Sequence, residues 1–281
     1  MRARMVKAEA IAAAVGRLCR EANTVLGDDV IEAIDRARAI EKSPRGRDIL
    51  GKLLENAAVA RSDNIPVCQD TGVAVVFLEV GQDVRIDGNL EEAVNEGVRR
   101  GYVEGYLRKS MVGHPLARVN TGDNTPAVIH VRIVPGKKLK ITVAPKGAGS
   151  ENMSAIKMLK PADGVEGVKR FVLEVVKNAG GNACPPLVVG VGIGGTIEKA
   201  ALIAKEALLR PLGKRSEDPL AAALEEDLLH EINCLGIGPL GLGGRVTALA
   251  VHVAIYACHI ASLPVAVNLN CHVVRHRSVE L

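Results

Sequence analysis

The sequence predicts an α/β fold: a helical N-terminal cap followed by mixed β-sheet flanked by helices. Three observations carry this. Apolar residues recur at helical spacing through residues 4–60, short apolar runs of strand length alternate with amphipathic stretches from Pro66 onward, and no internal repeat interrupts the pattern. With 281 residues, 48% of them hydrophobic, the chain can bury a sizeable core. We read it as a single domain over residues 1–281, with the cap over 1–60 and the α/β part over 61–281.

The cap comprises three helices, broken at Gly27-Asp28-Asp29 and again at Ser43-Pro44-Arg45-Gly46. Residues 74–80 form a strand, and residues 90–105 an amphipathic helix opened by the turn Asp87-Gly88-Asn89. Residues 127–134 and 138–143, joined by Pro135-Gly136, read as a hairpin or an antiparallel pair in a mixed sheet. A helix over 165–179 follows Pro161-Ala162-Asp163-Gly164, then a buried strand over 187–191 and helices over 197–209 and 221–235. Residues 246–274 contain no Asp, Glu, Lys or Arg and are long enough to span a bilayer, but three histidines, two asparagines and Pro264 interrupt them. A helix over 245–259, a turn at Ser262-Leu263-Pro264 and a buried strand over 265–269 explain the run better than a membrane span.

Composition narrows the partners. Three Tyr, two Phe and no Trp leave little for stacking on bases or anchoring at a membrane interface. The 36 Lys and Arg are scattered among 32 Asp and Glu, so no basic arm argues for nucleic acid, whereas a small acidic substrate is compatible. Only two glutamines, Gln69 and Gln82, hint at a thermophilic source. The six cysteines form no CxxC pair, and the apolar run 11–16 after Arg2, Arg4 and Lys7 is too short for a secretory core. A disulfide framework is therefore a poor reading, and the reducing cytoplasm is the expected compartment.

The segment Gly190-Val191-Gly192-Ile193-Gly194-Gly195 fits the dinucleotide fingerprint, and a nucleotide-binding oxidoreductase is the rival reading it supports. The fingerprint requires a second strand ending in an acid about 20 residues on. Here the helix runs instead into Arg210-Pro211-Leu212-Gly213. What remains is a glycine-rich turn at a helix start, suited to an anion.

Three cysteines sit at strand or loop termini. Cys68 lies in the polar loop 64–72, Cys184 just before the glycine-rich strand, and Cys271 at the end of the last buried strand. Each alone is a small buried hydrophobe. If they converge they suggest a metal: zinc, with His272 or His259 as a further ligand, or an iron–sulfur cluster that leaves one iron open to substrate. Cys19 in the cap and Cys258 on an apolar helix face read as packing residues, and Cys234, beside the glycine-rich run 236–244, stays open. Arg108, in a long ordered loop, could grip a carboxylate in two parallel bonds, or be a surface arginine. The glycine turn around Gly149 suits backbone donation or an N-cap, and His259, where helix gives way to turn, could equally be a core histidine.

Four segments together, Cys68-Gln69-Asp70-Thr71-Gly72, Lys146-Gly147-Ala148-Gly149-Ser150-Glu151-Asn152, Gly192-Ile193-Gly194-Gly195-Thr196 and Ala261-Ser262-Leu263-Pro264-Val265-Ala266-Val267, carry a resemblance over nearly the whole chain. The chain resembles the α subunit, or N-terminal domain, of the iron–sulfur hydro-lyases, the class I fumarases and L-tartrate dehydratases. The resemblance implies a [4Fe–4S] cluster held by Cys68, Cys184 and Cys271, with Cys234 an alternative third ligand that does not match the family position. It implies acid–base chemistry at Asp70 and substrate contacts from Gln69, Arg108, Gly149 and His259. It also implies a separate β subunit carrying a swivelling domain with the proton-abstracting threonine, so the chain is expected to be inactive alone. The implied assembly is a homodimer of α or an α2β2 heterotetramer, and the implied reaction is (S)-malate to fumarate plus water, with tartrate dehydration as the alternative. A structural or assembly protein that keeps the fold without chemistry is a third reading.

Overall fold

The computed structural model describes residues 3–281, so Arg2 lies outside the described residues. In chain order the elements are β1 (Arg4–Lys7), α1 (Ala8–Thr24), α2 (Asp28–Ile40), α3 (Pro44–Asp63), β2 (Val73–Gly81), β3 (Val84–Asp87), α4 (Leu90–Glu104), β4 (Val128–Val134) and β5 (Leu139–Lys146). There follow α5 (Ala148–Glu151), β6 (Ala155–Leu159), α6 (Gly164–Ala179), β7 (Leu187–Gly194), α7 (Ile197–Ala207), α8 (Pro219–Cys234), β8 (Ala248–Tyr256), β9 (Leu263–Asn270) and β10 (Arg277–Glu280). Two compact units result: one from the described residues up to 26 with 57–148 and 275–281, the other from 27–56 and 149–274. The sequence predicts one cap of three helices over residues 1–60; the structure divides those helices between the units, because α1 buries its apolar face in the first and α2 in the second.

In the first unit the sheet order is β10-β5-β2-β4. Strand β5 runs antiparallel to β2, while β4 runs parallel to it. The two segments read as a hairpin are thus not partners. Strand β2, Val-Ala-Val-Val-Phe-Leu-Glu-Val-Gly, is apolar on both faces and takes the central place between them. Helices α1 and α4 pack closely, since a Cβ on Gly101 would stand 2.7 Å from Cys19 Cβ, and they cover Val76, Leu78, Ile141 and Val143. Asn89 caps α4 by accepting from the Glu91 and Glu92 amides.

The second unit is a three-layer sandwich. Its sheet, β6-β9-β7-β8, has β7 parallel to β8 and β9 antiparallel to both β7 and β6. Val189, Val191, Val251, Val253, Val265 and Val267 meet α6 and α8 on one face. On the other face α7 rests against β7, where a Cβ on Gly190 or Gly192 would run into the carbonyl oxygens of Ala204 and Ala200. Helix packing therefore accounts for the first two glycines of the fingerprint. The expected helix over 245–259 is strand β8 instead. Its residues are apolar on both faces, a pattern that periodicity alone cannot separate from a buried helix, and pairing with β7 decides the matter. Cys258 consequently lies in the loop after β8, exposed, and not on a helix face. Among the described residues no helix is long and apolar enough to cross a membrane.

Two buried polar clusters hold this unit. Glu41, 3% exposed, accepts from the amides of Lys42 and Ser43 and from those of Arg245 and Val246 at 2.8–2.9 Å. Burial would raise its pKa, but these donors outweigh it and hold the carboxyl below its usual value. Beneath α7, His252 is 2% exposed with Nδ1 3.0 Å from the Ala207 carbonyl. Burial, reinforced by the Arg210 charge, lowers its pKa to about 4, against the Ala207 hydrogen bond and the charges of Glu225 and Asp29.

The unfolded chain takes up that proton near 6.5, the folded unit only near 4. This contribution to stability is therefore complete above the window and falls by about 3 kcal/mol as pH drops through it. His252→Gln is expected to flatten that limb of the unfolding free energy in a urea series across pH 4–7. An unchanged slope would count against the assignment.

Candidate active site

The loop carrying Cys68 is fixed from several sides within the first unit. The Val67 amide donates to the Asn23 carbonyl at 2.9 Å, and the Thr71 hydroxyl to the Arg108 carbonyl at 2.9 Å. Tyr102, fully buried, donates its phenol to the carbonyls of Thr71 (2.8 Å) and Gly72 (3.1 Å), and Asn124 donates to Gly72 as well. Burial drives the Tyr102 pKa upward, so the phenol keeps its proton and remains a donor. Gly72 has φ +74°, and a Cβ there would meet the Lys146 backbone at 2.7 Å, so the loop needs glycine where it crosses the end of β5.

Asp70 is held at both oxygens. Oδ1 accepts from the Gly72 amide at 3.0 Å and Oδ2 from the Ala148 amide at 2.8 Å. Each oxygen keeps a lone pair for a further donor. Cys68 is half-buried with Sγ 3.5 Å from Gln69 Oε1, and the Gln69 and Arg108 residues are exposed. The structure thus gathers Cys68, Gln69, Asp70 and the Arg108 backbone around one loop. Sequence reasoning missed Arg275, which is 6% exposed and donates to the carbonyls of Asp70 and, at 3.4 Å, Pro145. The basic run Arg275-His276-Arg277 shortly after Cys271 was its only signal.

In the second unit the pairing of Val188 with Asn270 sets the start of β7 beside the end of β9. Cys184 and Cys271 therefore flank the same sheet edge, joined by a 3.1 Å contact between His272 Nδ1 and the Cys184 carbonyl. Cys184 adopts a left-handed backbone, φ +53°, and is exposed; Cys271 is half-buried. Gly149 belongs to this edge, since a Cβ on it would lie 3.7 Å from the Asn182 carbonyl. Cys234 ends α8 next to Asn233, whose side chain holds the first amides of β8 at the same edge; its thiol is 3.7 Å from His230 Nε2. His259 does not join them. It sits in the β8–β9 loop, at the far end of strands that span about 25 Å.

The thiols differ in availability. Cys19 is fully buried and burial pushes its pKa up to about 12, which suits packing and not ligation. Cys68, Cys184 and Cys271 are accessible to different degrees and lie at loop positions. Among the described residues no three His, Cys, Asp or Glu side chains gather closely enough to share one metal ion. Thiolate sulfur is a soft donor, and in an iron–sulfur cluster each cysteine binds its own iron, a chemistry that suits Cys184 and Cys271 at their shared sheet edge.

Comparison with known proteins identifies the family. The family model described as Fumarate hydratase (Fumerase) matches residues 12–280. A Methanocaldococcus jannaschii protein provisionally named L(+)-tartrate dehydratase subunit alpha is 47% identical over 264 residues, 92% of each chain. The L(+)-tartrate dehydratase subunits alpha of Escherichia coli K12 and Shigella sonnei are 36% identical over 253 residues, covering 89% of this chain and 83% of theirs. By class, these matches define a hydro-lyase. The chain belongs to the fumarate hydratase (Fumerase) family.

Proposed function

We propose that the chain is the α subunit of a two-subunit hydro-lyase that interconverts (S)-malate and fumarate, with Cys68, Cys184 and Cys271 holding a [4Fe–4S] cluster. The observation that carries this reading is the meeting of Cys184 and Cys271 at one sheet edge through the 3.1 Å His272 contact. When bound, such a cluster supplies a Lewis acid for a departing hydroxyl. The chain's own residues do the rest. Asp70, pinned at both oxygens by backbone amides, accepts or returns a proton without changing position. Arg108 grips a substrate carboxylate with two parallel bonds, Gln69 offers an amide beside it, and the Gly149 backbone offers a further donor to substrate. The names of the relatives, subunits alpha, support a β subunit as partner.

A second reading, L(+)-tartrate dehydration, is favoured by the names of those same relatives. Anaerobic cluster reconstitution with the β subunit, followed by parallel malate, fumarate and tartrate assays, tests both. Malate–fumarate turnover is expected, turnover of tartrate alone would move the assignment to the second reading, and turnover of none would end both. Arg108→Ala is expected to raise KM about 10- to 100-fold, the loss of charge-assisted bonds to one carboxylate, with a much smaller change in kcat. A KM within twofold of the parent would remove Arg108 from the site.

A further inference from the structure

We propose that Arg275 is a positioning residue for Asp70, an inference that rests on the reading of Asp70 given above. The guanidinium is 6% exposed, and its Nη1 has no hydrogen-bond partner among the described residues. Burying a charged group with a donor unmade is costly, and the cost marks a group held in place by its surroundings. What it holds is specific. One nitrogen donates to the Asp70 carbonyl and Nε to the Pro145 carbonyl, so the side chain ties the 68–72 loop to the end of β5. The Asp70 carboxylate ties the same two segments from its other end, through the amides of Gly72 and Ala148.

Asp70 is therefore clamped at its backbone by Arg275 and at its carboxylate by the turn that follows β5. The clamp needs a planar, forked donor. A lysine ammonium is a compact point charge on a flexible stem and cannot reproduce the two-point geometry. Gly72, which admits the loop against Lys146 only because it lacks a Cβ, leaves no slack for a different approach. A carboxylate displaced by a fraction of an ångström from its working position loses proton-transfer efficiency, not substrate affinity. Arg275 thus acts on kcat through Asp70 and touches no substrate itself.

The test is a double-mutant cycle in the cluster-loaded complex with the β subunit. Arg275→Lys is expected to lower kcat about 10- to 100-fold with KM within twofold, and to have no further effect in the Asp70→Asn background. A decrease that multiplies in full onto Asp70→Asn, or a shift confined to KM, would overturn the proposal. A second readout does not depend on activity. In the full-length chain without cluster, Arg275→Lys is expected to change the iodoacetamide alkylation rate of Cys68, followed by peptide mass spectrometry, at least about threefold while that of exposed Cys258 stays constant. An unchanged Cys68 rate would overturn the proposal as well. Buried Cys19 reports the fold: should Arg275→Lys expose it, Arg275→Gln, which keeps a donor without the charge, takes its place under the same criteria. If Asp70→Asn retains the parent kcat, the catalytic reading of Asp70 falls, and the Cys68 rate still reports whether Arg275 fixes the loop.

Discussion

Cys184→Ser is expected to lose bound iron and inorganic sulfide and, with them, more than about 100-fold of the hydro-lyase activity, beyond the 10- to 100-fold typical of a lost outer-shell partner. The same holds for Cys68→Ser and Cys271→Ser. A serine oxygen is a harder and less readily ionised donor than a thiolate, so the change keeps the volume and removes the ligand. Cys258→Ser, at the opposite edge of the second unit's sheet, is the control and should keep iron content and turnover within about twofold. Anaerobic preparations of each variant, compared by iron analysis and visible absorption, give the answer. Cys234 is the informative competitor because it lies at the same edge as Cys184. Loss of iron in Cys234→Ser with retention in Cys271→Ser would exchange the two in the ligand set.

Glu225→Leu is expected to destabilise the second unit by about 3–5 kcal/mol, the cost of breaking a buried ion pair from one side. Glu225 is 5% exposed and pairs with Arg210, while its oxygens also accept from the Val253 amide at 2.7 Å and the Ser216 amide at 3.0 Å. Leucine would strand a half-buried guanidinium and two amides together. Adding Arg210→Met should recover part of the loss, since removing both charges costs less than orphaning one. Urea unfolding of the single and double variants measures this. A double variant less stable than Glu225→Leu would show that Arg210 contributes packing beyond its charge.

Much of this was legible in the sequence. Helices with one apolar stripe and a clear cap, such as α4 after Asn89 and α6, fall where periodicity puts them. The failures share a cause: β8 is apolar on both faces, and β2, itself read as a strand, comes between β4 and β5, so both outcomes are decided by neighbours in the sheet and not by a segment's own period. The Cys68, Asp70 and Cys184 loops were visible because glycines and prolines punctuate them. Arg275 was not, because its role depends on two carbonyls more than 100 residues away in sequence. His259 shows the converse limit, since proximity to Cys271 in sequence spans an entire strand in space.

Strand β7 alternates Val189, Val191 and Ile193 with Gly190, Gly192 and Gly194. Its two faces obey opposite size rules, bulky toward α6 and α8, bare toward α7. Sliding by one residue would drive valines into the α7 backbone and open a void on the other side at once. The strand thereby carries its own register lock. Because Cys184 enters β7 and Cys271 leaves β9, that lock also sets these two residues at the same end of the sheet.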